Sequence, residues 1–331
     1  MDKSALDILT RYLPSFPRKH AGKIITDTTE FMSIDYGDVM FLDNKHYLVT
    51  KNLSERRFGL EDPKYWVKRC RELETGNQQI IKLEFYEKFD VTIGSIQSSC
   101  YRSPRKESRI LQLINNDMRF MQGRTVLDTK GNCVRILDII YGTELDVVLD
   151  RLQISHEEYF HTVFPDFFAK YIGAVKAIEH LHTNQEQHGD IRRDHLLVES
   201  ETKSWRWIDF DYTFGLRENP YALDIFGLGS ILLLLVGQRE ITAQQLAATN
   251  NQATTSGNIE KEDMALAMPY RLANIQKKYP YIPNALNNVC MHFSAKNSVF
   301  YSSVTEFVTA LLTCFHKLPV FTAARGRYPE V

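Results

Sequence analysis

Cysteine, glycine-rich loops and long apolar runs are all scarce in this chain. Its 331 residues include five cysteines (Cys70, Cys100, Cys133, Cys290 and Cys314), scattered, odd in number and without a Cys-x-x-Cys pair. That argues against a disulfide framework or a thiolate zinc site and suits a reduced, cytoplasmic protein. The most apolar run, Ile225 to Val236, is shorter than the roughly 20 residues a spanning helix needs. Asp224 precedes it directly, so a buried core helix is expected and no membrane partner. The stretch Met1 to Phe16 lacks the unbroken apolar core of a signal peptide, and Leu6, Leu9 and Leu13 recur in it at helical spacing. Forty basic side chains face 41 acidic ones, a net charge of -1. No basic excess calls for nucleic acid or an anionic surface.

What is present is enough apolar material, 44% of residues, for a sizeable core. Residues 1–30 read as a helical extension ending near Pro14 and Pro17. From Phe31 to Phe89 the chain is strand-rich, with Ile34–Leu42, His46–Lys51, Tyr65–Glu72 and Gln78–Phe85 as strands. Asp43-Asn44 and Thr75-Gly76-Asn77 are predicted turns. Ser103 followed by Pro104 predicts a helix start. Two more strands, Thr125–Leu127 and Val134–Ile140, flank Lys130-Gly131-Asn132. Beyond Gly142 the spacing turns helical, as in Phe168, Tyr171, Ile172, Val175, Ile178 and Leu181. The polar stretch Ala247 to Glu262 reads as a loop. A β-rich part (31–141) followed by an α-rich part (142–331) predicts two lobes with a ligand cleft.

Several charged residues stand out against this background. In Ile80-Ile81-Lys82, strand alternation puts Ile80, Lys82, Glu84 and Tyr86 on one face. Glu107, Ile110, Leu111 and Ile114 share one helix face, and an acid facing inward needs a partner. The loop His188-Gly-Asp-Ile-Arg-Arg-Asp-His195 precedes Trp207-Ile-Asp-Phe-Asp211, so two acidic loops lie close in sequence.

In order and spacing these features resemble the protein kinase superfamily, from about Phe31 to Phe315, and within it the eukaryotic-like Ser/Thr kinases that bacteria also carry. The resemblance implies an α+β, two-lobed fold and an ATP-dependent transfer needing Mg²⁺ or Mn²⁺. Lys82 matches the phosphate-binding strand lysine, and Glu107 the helix glutamate that pairs with it. Ile80, Val67 and Gly59 would line the nucleotide. Backbone groups of Asp138 and Ile140 match the hinge that reads adenine, and Glu144 would reach ribose. Asp190 matches the aspartate that orients the substrate hydroxyl. Arg192 replaces a lysine that steadies the γ-phosphate. Asp209 and His195 would hold the metal, His195 standing where an asparagine is usual. Asp224-Ile-Phe-Gly-Leu-Gly229 resembles the motif that opens the buried central helix.

The departures are equally specific. Only 14 residues separate Asp209 from Asp224, and they contain no Ala-Pro-Glu. The arginine that would pair with that glutamate is missing near Tyr301. Losing both members of a buried pair together is physically coherent. In place of Gly-x-Gly-x-x-Gly stands Asn52 to Pro63, with Gly59 alone and with Arg56 and Arg57. Asp211 replaces a glycine and would meet a second metal or solvent. A protein Ser/Thr substrate is the leading expectation. A pseudokinase scaffold and a small-molecule kinase of the aminoglycoside phosphotransferase type stay open, the last favoured by the short segment after Asp209.

Overall fold

The computed structural model describes residues 3–57, 60–93, 96–216, 219–249, 259–296 and 300–331. The chain forms two compact units: residues 1–88 with 101–140, and residues 89–100 with 141–331.

The first unit is built on a sheet. After helix α1 (Lys3–Tyr12) come β1 (Ile24–Ile25), β2 (Val39–Leu42), β3 (Lys45–Arg57), β4 (Leu60–Glu72) and β5 (Gln78–Lys82). Next along the chain are β6 (Glu87–Ile93) and β7 (Ile96–Arg102), whose residues 89–100 belong to the second unit. Then come helix α2 (Pro104–Leu113) and strands β8 (Gly123–Leu127) and β9 (Cys133–Asp138). Seven strands pair in the order β1-β2-β3-β4-β5-β9-β8. The sheet is antiparallel except at its edge, where β1 runs parallel to β2. That edge strand lies inside the segment predicted to be a helical extension. The β2–β3 turn uses Asp43 and Asn44 at positive φ (50° and 58°), where asparagine and aspartate are the tolerated non-glycine residues. Ser103 caps α2 by accepting from the Lys106 amide, with Pro104 at the first helical position. One sheet face packs the apolar cluster of Met40, Val49, Cys70, Ile81, Leu83 and Ile136, all buried. Helix α1 is not a loose appendage: Leu9 packs with Val39 and Leu48.

The second unit is mostly helical. Its elements are β10 (Gly142–Glu144), α3 (Leu145–Asp150), α4 (His156–Thr162), α5 (Phe164–Thr183), β11 (Leu196–Glu199), β12 (Trp205–Trp207), β13 (Tyr212–Phe214) and α6 (Ala222–Gly237). Helices α7 (Ala243–Thr249), α8 (Asn284–Met291), α9 (Val304–Lys317) and α10 (Thr322–Arg327) complete it. The polar stretch read as a loop is helical at its start, in α7, and its residues 250–258 lie outside the described residues. Helix α6 is apolar on nearly every side and buried over most of its length, as a central core helix should be. Two three-stranded sheets run β10-β11-β12 and β13-β7-β6. The β6–β7 hairpin was not anticipated from the sequence; within this unit the Gly215 amide donates to the Ser99 carbonyl at 3.0 Å. No single helix among the described residues is long and apolar enough to cross a membrane.

Candidate active site

In the first unit, strand register places Val67 opposite Lys82, and Lys82 opposite Arg135. Opposed residues share a face, so Val67, Lys82 and Arg135 line up across three strands. Ile80 lies two residues back on the same face and is half-buried. Ile81 and Leu83 point into the apolar core. Glu107, fully buried on the inward face of α2, accepts from Lys82 Nζ at 2.7 Å and from Arg135 Nε at 3.1 Å. A buried carboxylate is stable only when paired and hydrogen-bonded, and here two cations do it. Arg135 had no signal in the sequence beyond one charge inside an apolar strand. The Asp138 amide donates to the Gln122 carbonyl at 3.0 Å, so that group is already engaged. Ile140 is half-buried just beyond β9. Gly59 lies outside the described residues, and so do the side chains of Arg56 and Arg57.

In the second unit the loop from His188 to His195 is anchored from below. Asp224, in the first turn of α6, accepts from the amides of His188 (2.7 Å) and Gly189 (2.8 Å) and from His182 Nε2 (2.9 Å). Burial opposes ionisation of Asp224, but these partners hold its carboxyl below the usual range. Gly189 turns at φ 85°, a conformation that suits glycine. Gly227 lets α6 approach the loop: a Cβ there would stand 2.7 Å from the Ile191 carbonyl. The His188 ring meets Phe210 edge-on at 4.8 Å and Trp207 at 5.2 Å. These contacts lock the Asp209-Phe210 segment to the loop.

The carboxylates converge on His195. Its Nδ1 lies 2.8 Å from the Asp190 backbone carbonyl. A carbonyl only accepts, so Nδ1 is the donor of this bond and Nε2 is the ring nitrogen turned to the other side. Nε2 lies 3.7 Å from Asp209 Oδ2. Asp209 adopts φ 65°, a left-handed conformation that costs a non-glycine residue about 1–2 kcal/mol and so must be held by its surroundings. Oxygen atoms of Asp209 and Asp211 lie within 4.8 Å of one another. Asp211 is buried, so its carboxylate does not simply face solvent, one of the two roles expected of it. Burial pushes the Asp190 carboxyl up, with His195 and Arg192 opposing that shift. Arg192 makes a two-nitrogen pair with Asp194, Nε to Oδ1 at 3.0 Å and Nη2 to Oδ2. Arg193 binds Asp146 at 3.1 Å and also Glu240, which Arg271 shares. Asp194 and Glu240 were not singled out in the sequence. Glu144 ends β10 with its side chain exposed. Near Tyr301, where an arginine was missing, a ring packs on His292 at 4.5 Å and on Phe307 at 5.1 Å.

No protein-family model matches the sequence, and no curated protein matches it. Among solved structures, the chain is similar to the PknI kinase domain of Mycobacterium tuberculosis, at 13% identity, covering 81% of this chain and 95% of that one with a TM-score of 0.42. A double mutant of the same domain matches at 13% identity over 81% and 94%, with a TM-score of 0.43.

Proposed function

We propose that this chain is an ATP-dependent phosphotransferase acting on a protein serine or threonine hydroxyl. The observation that carries the reading is that, in the second unit, Asp190 and Asp209 face the two ring nitrogens of His195. Asp190 would orient the hydroxyl and accept its proton; a carboxyl raised by burial is better suited to that than an ordinary one. The donor set of an Asp209 carboxylate, a neighbouring Asp211 carboxylate and His195 Nε2 fits a divalent cation, Mn²⁺ or Mg²⁺. Such a cation neutralises phosphate charge when bound. In the first unit, Lys82 would take α/β-phosphate oxygens, with Val67 and Ile80 as the apolar neighbours suited to adenine. Glu107 holds Lys82 in place. Arg192 would reach a γ-phosphate only by leaving Asp194.

A small-molecule hydroxyl is the second reading. It is favoured by β13, which commits part of the 14 residues between Asp209 and Asp224 to pairing with β7.

Ligand linkage tests the site. ATP with Mn²⁺ should raise the melting temperature, by the equivalent of about 3 kcal/mol at a hundredfold excess over Kd. Asp209→Ala should lose most of the metal-dependent part. An undiminished shift in that variant would remove Asp209 from the site.

A further inference from the structure

Arg135 and Lys82 occupy directly opposed positions on neighbouring strands. Like charges so placed repel, and both are out of water, at 1% and 5% exposure. The conflict is resolved by one carboxylate. Glu107 Oε1 accepts from Lys82, and Oε2 accepts from Arg135 Nε. The other edge of the guanidinium is fixed by backbone: Nη1 donates to the Leu83 carbonyl at 3.1 Å and to the Cys133 carbonyl at 2.7 Å. Arg135 is thus tied to the sheet through two carbonyls and to α2 through a charge-assisted bond. Among these three side chains, two positive charges face one negative.

We propose that Arg135 is the positioning residue for Lys82. By taking half of the Glu107 carboxylate it holds α2 on the sheet independently of nucleotide. By the same contact it leaves Lys82 less neutralised, so that the ammonium attracts phosphate more strongly. A Lys–Glu pair without a second cation lacks both properties: the Glu107 carboxylate is tied to the sheet by a flexible lysine instead of a fixed guanidinium, and it offsets more of the ammonium's charge. The phosphate part rests on the nucleotide reading above; the anchoring of α2 does not.

The test uses the full chain with Arg135→Met and Arg135→Lys. Amide hydrogen exchange across Pro104–Leu113 is measured without nucleotide, and affinities for ATP and adenosine are measured in parallel. Arg135→Met should raise exchange in α2 and weaken ATP about tenfold to a hundredfold, the scale of a misplaced binding group. Adenosine affinity should stay as in wild type, because it has no phosphate. Arg135→Lys should restore part of both effects. It also serves if the methionine variant does not fold, since one ammonium cannot reach the carboxylate and both carbonyls together. An α2 as protected in a folded variant as in wild type overturns the anchoring. Equal losses for ATP and adenosine overturn the phosphate role. If wild type binds no ATP, the nucleotide reading fails while exchange still decides the anchoring.

Discussion

Lys68 and Lys82 stand on neighbouring strands, β4 and β5, and point to opposite faces of the sheet. Lys68 is opposed to core residue Ile81, whereas Lys82 is opposed to Val67. Both are buried. Lys68 Nζ donates to the carbonyls of Phe31 (3.1 Å) and Ile34 and to Asn52 Oδ1 (2.7 Å). Every donor is used, but no acceptor is charged. Burial accordingly pulls its pKa down to about 8, with Asp35 and other acids opposing weakly. Lys82 instead has a carboxylate at 2.7 Å. Neutral acceptors satisfy hydrogen bonds; only an anion also balances charge. The first lysine is a staple that fastens the segment before β2. The second is paired with an anion in a buried place.

The largest way to break this contrast is to remove the anion. Glu107→Ala removes the carboxylate that Lys82 and Arg135 share and should cost about 3–5 kcal/mol in denaturant unfolding at pH 7. A cost under about 1 kcal/mol would mean that the pairing is not what holds these cations.

Lys68 offers the converse test. Its folded pKa lies below its unfolded value, so between pH 8 and 10.5 the unfolded chain binds more protons than the folded one. Stability should therefore rise with pH across that window, by up to about 3 kcal/mol from this group. Lys68→Met should flatten the slope; the same slope in both proteins would show that Lys68 is not strained. The second unit carries a third case at the acid end. His156 is sandwiched by its contacts with Tyr281 (2.6 Å) and the Val236 carbonyl (2.8 Å), and burial pulls its pKa down to about 4. Unfolded histidine takes up its proton near pH 6.5 and the folded one does not, so stability should fall as pH drops from 6.5 to 4. His156→Phe should lessen that loss in acid denaturation.

The smallest expected effect concerns His195 as a proposed metal donor. Imidazole favours Mn²⁺ over Mg²⁺ more than an amide oxygen does, so wild type should be more active with Mn²⁺. His195→Asn should narrow the ratio a few-fold. Identical metal preference in the two proteins would make His195 a packing residue.

What the sequence revealed and what it hid follow one physical division. Local signals were legible: Ser103-Pro104 at a helix start, Asp43-Asn44 at a turn, the apolar run of α6, and the close-set loops of Asp190 and Asp209. Lys82 and Glu107 could be paired only because a family resemblance supplied the link. Arg135 and Lys68 were not legible, because each looks like a stray charge in a strand and its partners lie 28 and up to 37 residues away. The hairpin of β6 and β7 escaped for a related reason: its pairing with β13 joins segments more than a hundred residues apart. Arg192 showed its charge but not its partner Asp194, since both read as loop residues.

The central claim is that Asp190 serves phosphate transfer. The most direct measurement incubates wild type and Asp190→Asn with labelled ATP and Mn²⁺, in the presence of candidate protein substrate, after confirming that both bind ATP by thermal shift. The account predicts labelled protein with wild type and a rate about a hundredfold to ten-thousandfold lower with the variant, the range for losing a proton-accepting group. Equal labelling by both proteins, or no labelling of protein or small molecule by a wild type that binds ATP, would contradict it.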